Sequence, residues 1–512
     1  MNKKATRTTH CERRLITFAV MSAAVMQVLD TTIVNVALPH MQGSLGALPD
    51  QISWVLTSYL ISSAIFMPLT GYLTDRLGRK NYLLLSIAGF VLVSALCGLA
   101  TSIGEIVFFR LLQGVFGAAL VPLSQAILAD TYPKEQQGRA MAIWGVGIMV
   151  GPILGPTLGG YLTEVASWRW TFYINVPFGM LSLFLAWQVV PDTPKKDRNM
   201  DWVGLAFISL AIGATQYVLD RGNNDDWFNG KNIVFAAFLA VLGLITFVSI
   251  SFHKKDNTVF DVSIFKDRNF LVASIVLAIF GLGMYGSMII QPLLLEDNLG
   301  YPVLTAGLAM APRGIGGFIS MLFVGKIIHK YDPRYLIGLG IIITAISNWI
   351  GTSYSLMISP NWITFPLFLQ GLGLGLIFVP LSTVAFSTLP HTMRAEGAGL
   401  YSLLRTIGSS VGISLVITMF IRHTQIHLND LSGDVTPYNL ALLPYETYAP
   451  VLDNLSATME LIGGSVARQA QMAAFVDVYA FITWSFVLML PLILLIRYKQ
   501  PEKGEDLPVG EF

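Results

Sequence analysis

Fourteen runs of about 20 mostly apolar residues make up most of this 512-residue chain. A helix of about 20 apolar residues crosses the roughly 30 Å hydrocarbon layer of a bilayer. Only 12% of the residues are charged, against roughly 25% in an ordinary soluble domain. The sequence therefore predicts an all-α membrane protein with 14 transmembrane helices, near residues 15–38, 52–73, 82–101, 105–128, 140–162, 171–190, 202–219, 232–252, 270–294, 304–327, 335–354, 361–388, 396–420 and 474–497.

The distribution of Lys and Arg predicts the orientation of these spans. With the N-terminus inside, the inner segments carry 24 of the 32 basic residues, the outer loops carry five, and three lie within spans. Cytoplasmic loops carry an excess of Lys and Arg. We therefore expect both termini to be cytoplasmic. The net charge of +1 gives no reason to expect nucleic acid as a partner.

The chain also repeats itself at a nearly constant offset. The tripeptide at 112–114 recurs at 369–371, and the one at 122–124 recurs at 380–382. Parallel repeats of this kind place a binding site between the halves, near the bilayer midplane. We therefore predict a cytoplasmic tail 1–14, a six-helix half 15–190, a linker with two inserted helices 191–269, a second six-helix half 270–497 that includes an outer loop 421–473, and a cytoplasmic tail 498–512.

An acid, Asp30, lies within the first apolar run. A carboxylate near the centre of a spanning helix costs about 2.5–3.5 kcal/mol on insertion scales and often serves transport. At 1.5 Å per residue, Asp30 lies about 12 Å from the outer end of span 1, and Arg110 lies about 8 Å into span 4. The two charges are predicted to pair and to couple transport to protons. A static ion pair, or an acid at an early helix end, is the structural alternative.

Two further stretches are rich in glycine. The turn after span 2 holds Gly71, Asp75, Gly78, Arg79 and Lys80, a spacing that favours a sharp turn with an acid and bases close together. The basic residues alone would only mark a cytoplasmic loop. In span 5, glycines recur every four residues and form one stripe for close helix packing, and two prolines interrupt the backbone hydrogen bonds of the helix. The residues of this stretch are Gly147, Gly151, Pro152, Gly155, Pro156, Gly159 and Gly160.

The inward spans offer a mixed polar and aromatic set for a substrate cavity. Met and aromatic side chains adapt to varied shapes, although each residue taken singly is more often plain packing. Arg313 and Arg405 are bases without an acid at matched depth, and they either bind anionic compounds or donate to backbone carbonyls. The candidates are Gln27, Tyr59, Gln113, Met284, Tyr285, Gln291, Arg313, Gln370, Phe378, Tyr401 and Arg405.

These stretches together resemble the major facilitator superfamily over nearly the whole chain. The turn at 71–80, the run at 110–114 and the stretch at 151–160 resemble its loop, span 4 and antiporter motifs. The runs at 29–39 and 168–177 are similar to its 14-helix drug:proton antiporter branch. The resemblance implies that the loop latches the halves together on the cytoplasmic side, that Arg110 serves proton transfer, and that transport is export. The second half departs from the loop pattern, with His329 opposite Asp75.

The resemblance implies a proton-coupled multidrug efflux transporter in a bacterial inner membrane, working by alternating access on small hydrophobic or amphiphilic compounds. Similar pumps work with a periplasmic adaptor of the EmrA type and an outer-membrane channel of the TolC type. The outer loop 421–473 is so long that it is either functional, as the contact with such a partner, or disordered. Export of one dedicated metabolite, such as a siderophore, is the second hypothesis, and a non-transporting sensor the third. No metal site, cofactor or covalent chemistry is predicted, and no phosphate-binding loop is present, so the proton gradient is the expected energy source.

Overall fold

Fourteen long helices make up most of the described chain. The computed structural model describes residues 10–52, 54–133, 136–195, 201–223, 225–253, 259, 261–328, 330–390, 393–433 and 455–497. In chain order the long helices are α1 (His10–Leu45), α2 (Trp54–Leu77), α3 (Arg79–Leu99), α4 (Ile103–Thr131), α5 (Gln137–Val165), α6 (Trp170–Val189), α7 (Trp202–Arg221), α8 (Lys231–His253), α9 (Arg268–Asn298), α10 (Val303–Ile327), α11 (Pro333–Gly351), α12 (Asn361–Ser387), α13 (Arg394–Gly433) and α14 (Leu455–Val487).

Thirteen helices in the described chain are long and apolar enough to cross a membrane. The remaining predicted span, 140–162, coincides with α5, of which Gly138–Gly151 is the apolar part. The side chains of Pro152 and Pro156 lie outside the described part of α5, although the helix runs through both positions. The prediction of an all-α protein with 14 membrane helices is therefore confirmed.

Short polar side chains fix where several helices begin. Asp201, Asp267 and Asp332 each accept a hydrogen bond from a backbone N–H in the first turn of α7, α9 and α11. Such caps satisfy amides that have no partner within the helix. Gly78 separates α2 from α3 with φ of +84°, a backbone conformation that L side chains rarely adopt. The sharp turn predicted from the glycines is present.

The two predicted halves share one pattern of helix packing. In the first, α1 packs on α5 and α6, and α4 packs on α2 and α3; in the second, α9 packs on α13 and α14, and α12 packs on α10 and α11. The inserted pair α7 and α8 pack on each other, and α7 also lies against α2 and α13. A hydrogen bond of 2.9 Å from Gln216 to Ser410 joins α7 to α13. The repeat read from the sequence thus corresponds to a repeat in packing.

The structure differs from the sequence expectation in the segment 421–473. Helix α13 continues to Gly433, and α14 begins at Leu455. Hydropathy falls where a chain leaves the apolar layer, but the backbone hydrogen bonds of a helix continue into water. Residues 421–433 and 455–473 of the predicted outer loop are therefore helical, which corrects that part of the prediction, and residues 434–454 lie outside the described chain.

Candidate proton-coupling site

Asp30 is fully buried in the first helical half, and its carboxylate accepts three hydrogen bonds from other helices. Arg110 Nη1 donates to Oδ2 at 2.7 Å. Oδ1 accepts from Gln113 Nε2 at 3.1 Å and from Asn175 Nδ2 at 2.6 Å. A buried charge is tolerated when it is paired and hydrogen-bonded. The cost that singled out Asp30 in the sequence is thus offset by α4 and α6.

Arg110 is equally buried and is fixed from several directions. Its Nε donates to the backbone carbonyl of Val55 on α2 at 3.0 Å, and its Nη1 also donates to Gln113 Oε1 at 2.7 Å. The guanidinium lies 4.4 Å from the centroid of the Tyr59 ring, a cation–π contact. Its Nη2 has no hydrogen-bond partner among the described residues. One donor of this cation is therefore free for another group.

This arrangement satisfies the ionised acid and not the protonated one. All three groups that contact the carboxylate are donors, and they occupy both oxygens. A protonated carboxyl carries an O–H that needs an acceptor of its own. Protonation of Asp30 would therefore bring a donor against donors and remove the charge that holds Arg110. The carboxylate of Asp30 thus joins α1 to α4 and α6 through its hydrogen bonds.

The glycine stripe of α5 lies directly against the turns of α1 that carry Asp30. A Cβ added at Gly151 would come within 2.6 Å of Val28 Cγ1, and one at Gly155 within 2.0 Å of Thr32 Oγ1. Thr32 also donates to the carbonyl of Gly151 at 3.0 Å. Gly147 and Gly159 face α1 in the same way, whereas Gly160 has only ordinary space around it. The glycine stripe thus lets α5 pack closely on the part of α1 that carries the acid.

The stretch 71–80, which is the end of α2, Gly78 and the start of α3, lies where the halves meet, at an end of the bundle that we call the latch end. A Cβ at Gly71 would come within 2.7 Å of Glu396 Cβ on α13. Arg79 pairs with Asp130 at 2.5 Å within the first half, and Arg394 of the second half pairs with the same Asp130 at 2.8 Å. Asp75 and Lys80 of the same stretch are partly buried, and His329 lies outside the described residues.

The halves also contact each other just inside the latch end. Trp144 of α5 and Phe378 of α12 stack with ring centroids 5.4 Å apart and planes 5° apart. A Cβ at Gly145 would come within 3.0 Å of Met321 Sδ on α10. The contacts described between α5 and the second half therefore lie on the latch side, and the bundle is closed there.

The candidate cavity residues separate into three places. Gln27, Tyr59 and Gln113 belong to the surroundings of Asp30, with Gln27 donating to the Tyr59 hydroxyl at 2.9 Å. Gln291, Arg313 and Gln370 form a second polar centre in the second half, where Arg313 donates to Gln291, and Gln370 donates to Ser287 at 2.9 Å. The others lie along the second half, where Met284, Phe378 and Tyr401 are buried, and Tyr285 and Arg405 are half-buried.

Sequence reasoning missed part of the site around Asp30. Asn175 is 1% exposed and bridges Asp30 to Ser94 Oγ, with 3.0 Å to the serine. Ser94 in turn donates to the carbonyl of Phe172 at 3.0 Å. The signal for Asn175 was an amide just inside an apolar run, in the stretch 168–177. It becomes informative only when α6 is known to pack beside α1.

Comparisons with known proteins agree with this architecture. The family model described as Major Facilitator Superfamily matches residues 20–413. The "Probable multidrug resistance protein EmrY" of Escherichia coli K12 is 33% identical over 96% of both chains, and the "Multidrug export protein EmrB" of the same organism is 34% identical over 96% of both. The solved structure of the proton:xylose symporter XylE matches with a TM-score of 0.61 at 14% identity, covering 96% of this chain and all of that one. The chain belongs to the major facilitator superfamily.

Proposed function

We propose that this protein is a secondary transporter that exports hydrophobic or amphiphilic toxic compounds in exchange for protons. The observation that carries the proposal is the buried carboxylate of Asp30, whose three donor partners suit only its ionised form. Relatives covering nearly the whole chain are named for multidrug export or resistance. An acid that can be charged or neutral, inside a transporter fold, is the minimal device for proton coupling.

The coupling would run from Asp30 to the other half through α5. Protonation releases Arg110 from its counterion, and the contact of Gly151 and Gly155 with α1 carries the change to α5. The same helix bears Trp144, which stacks on Phe378 of the second half. Rocking of the halves around a central site then exposes that site alternately to the two sides. The turn at 71–80 with Asp130 and Arg394 would hold one side shut.

The function is tested with the purified chain in proteoliposomes under an imposed pH gradient. We expect transport of several unrelated hydrophobic compounds and substrate-driven proton flux, because an exchanger must move both. Transport of a single compound from a broad panel would instead identify a dedicated exporter. A chain that binds compounds but moves neither them nor protons would contradict the transporter proposal. Empty liposomes and protein-containing liposomes without a gradient are the controls.

The proposal also covers the membrane in which the protein lies and the proteins that it contacts. The excess of Lys and Arg in the inner segments supports cytoplasmic termini and, with the named relatives, the inner membrane of a bacterium. The latch end is then cytoplasmic, and the ends of α13 and α14 that flank residues 434–454 lie on the periplasmic side. We propose that this segment contacts a periplasmic adaptor of the EmrA type, which leads to an outer-membrane channel of the TolC type.

Deletion of residues 434–454, closed by a short Gly/Ser linker, should impair resistance in cells while leaving transport by the purified protein intact. The deletion spares the extensions of α13 and α14, so the membrane-embedded residues keep their packing. Growth in the presence of exported compounds and transport in proteoliposomes measure the two effects separately. Normal resistance after the deletion would argue against docking through this segment. Replacement of the same segment by an equally long Gly/Ser sequence separates lost contacts from a shortened connection.

A further inference from the structure

Three side chains with metal-binding atoms converge where α13 and α14 extend toward residues 434–454. His423 and His427 lie one helical turn apart on α13, and Asp477 lies opposite them on α14. His423 Nδ1 and His427 Nε2 are both 2.7 Å from Asp477 Oδ2. Among the described residues, this is the one set of three His, Cys, Asp or Glu side chains whose ligand atoms all lie within 4.8 Å of one another.

We propose that His423, His427 and Asp477 form a binding site for a divalent transition metal, with Zn²⁺ as the ion that fits best. Two histidines spaced i, i+4 on one helix face are a recurrent Zn²⁺ pair. Zn²⁺ is bound by imidazole nitrogen and carboxylate oxygen, and sites with three protein ligands complete the tetrahedron with water. Imidazole ligands exclude a preference for Ca²⁺ or Mg²⁺, which take oxygen ligands.

The two contacts between the histidines and Asp477 need only a small adjustment to admit the ion. Ligand atoms about 2.0–2.2 Å from a tetrahedral Zn²⁺ are about 3.4 Å apart, so each 2.7 Å contact must lengthen by about 0.7 Å. The three side chains are 30–35% exposed, so rotations about their own torsions are not blocked by a packed core. The exposure also gives the fourth, water-bound position a path to solvent.

The position along the helices places these ligands at the edge of the apolar layer or beyond it. His423 is 29 residues from Arg394 at the latch end, or about 44 Å at 1.5 Å per residue. Asp477 lies 2.7 Å from both His423 and His427, so it sits at the same level along the bundle. The hydrocarbon layer is roughly 30 Å thick. A metal ion in water can therefore reach all three side chains without crossing the membrane.

The bound ion would tie the end of α13 to α14, the two helices that flank residues 434–454. No metal site is predicted from the sequence, because the i, i+4 histidine pair alone lacks a third ligand and Asp477, 50 residues after His427, joins it only through the pairing of α13 with α14. The proposal does not depend on the transport function, since all three residues lie in the second half and none contacts Asp30 among the described hydrogen bonds. The competing structural role is a hydrogen-bonded clamp in which the histidines merely hold the carboxylate.

Two variants separate the metal site from the clamp. His423→Asn places an amide nitrogen near the position of Nδ1, and His427→Gln places one near the position of Nε2, so each keeps a donor for Asp477 but removes a metal ligand. His40→Asn is the matched control, because His40 is an exposed histidine on α1 outside the cluster. All four proteins are made at full length without a polyhistidine tag.

Zn²⁺ binding is measured by competition with a chromophoric chelator, and thermal unfolding is followed with and without Zn²⁺. The parent protein and His40→Asn should take up one Zn²⁺ per chain and unfold at a higher temperature with it. Both site variants should bind at least about tenfold more weakly, since even outer partners of metal ligands change affinity by roughly 10–100-fold. An excess of Ca²⁺ should not displace the ion. No Zn²⁺ uptake by the parent, or equal uptake by the site variants, would overturn the proposal.

Discussion

Replacing Asp30 by Asn should abolish proton-driven efflux while leaving exchange of the compound between the two sides of the membrane. Asn keeps the volume of the side chain but cannot release a proton, so the binding site can still alternate without moving a proton. In proteoliposomes, accumulation under an imposed pH gradient should fall to the level of empty vesicles. Counterflow of labelled against unlabelled compound, which needs no proton, should persist. Near-normal accumulation under the gradient would rule Asp30 out as the coupling acid.

The substitution also leaves Arg110 as a buried charge without its counterion. Removing one partner of a buried ion pair costs about 3–5 kcal/mol, and the loss of stability must be separated from the loss of coupling. The double variant Asp30→Asn/Arg110→Gln removes both charges and should recover much of the stability in thermal unfolding. It should remain uncoupled. If the ion pair serves only folding and insertion, the double variant should regain accumulation together with stability.

Glu105→Gln is the matched control for this experiment. Glu105 is an exposed acid on the same helix as Arg110, five residues earlier, and it accepts hydrogen bonds from Thr101. Its neutralisation changes the charge of α4 by the same amount without touching the site. Accumulation under the gradient should stay at the parent level, so that a deficit in Asp30→Asn reports the position of the acid and not the loss of one negative charge from the protein.

The sequence predicted the charged core of this site because ionised groups are costly inside an apolar helix. Asp30 and Arg110 are both conspicuous against their surroundings, and the rise of a helix places them at similar depth. Asn175 and Ser94 are not conspicuous, since short polar side chains are common in membrane helices and cost little. The carbonyl of Val55, which fixes Arg110, is backbone and leaves no mark in the sequence. The acid and its cation could be predicted, but not the geometry that holds them.

Contacts between remote parts of the chain were beyond sequence reasoning for a related reason. Asp130 and Arg394 are 264 residues apart, and each lies at the end of an apolar run, where a charge is expected anyway. The helical extensions beyond 421 and before 473 were missed because hydropathy reports the membrane boundary and not the end of a helix. The turn at 71–80 was predictable in shape from its glycines, but its close contact with Glu396 depends on how the halves meet.

Substituting Arg394 by Met should open the latch end, because Arg394 supplies the described ion pair between the halves there. Its side chain is 2% exposed, and its guanidinium donates both to Asp130, at 2.8 Å, and to the carbonyl of Ala129, at 3.1 Å. Met keeps the length and loses both bonds. A hydrogen bond to a charged group contributes about 1.5–3 kcal/mol, which corresponds to a rise of about 10- to 150-fold in the ratio of open to closed forms. We expect a value near the lower end of this range, because Asp130 is partly exposed.

This change is measured as the distance distribution between two spin labels. The labels are attached at Asn81→Cys and Lys330→Cys, one exposed position on each half at the latch end. The native Cys11 and Cys97 are replaced by Ser, so that only these two positions are labelled. The distribution should move to longer distances in Arg394→Met. Arg334→Met is the control, because Arg334 pairs with Asp332 of its own half at the same end and makes no described contact with the other half. Asp130 remains paired with Arg79 in both variants, so an effect confined to Arg394→Met isolates the bond between the halves. Equal distributions in the parent and Arg394→Met would show that close packing of Gly71 on Glu396 closes this end without the ion pair.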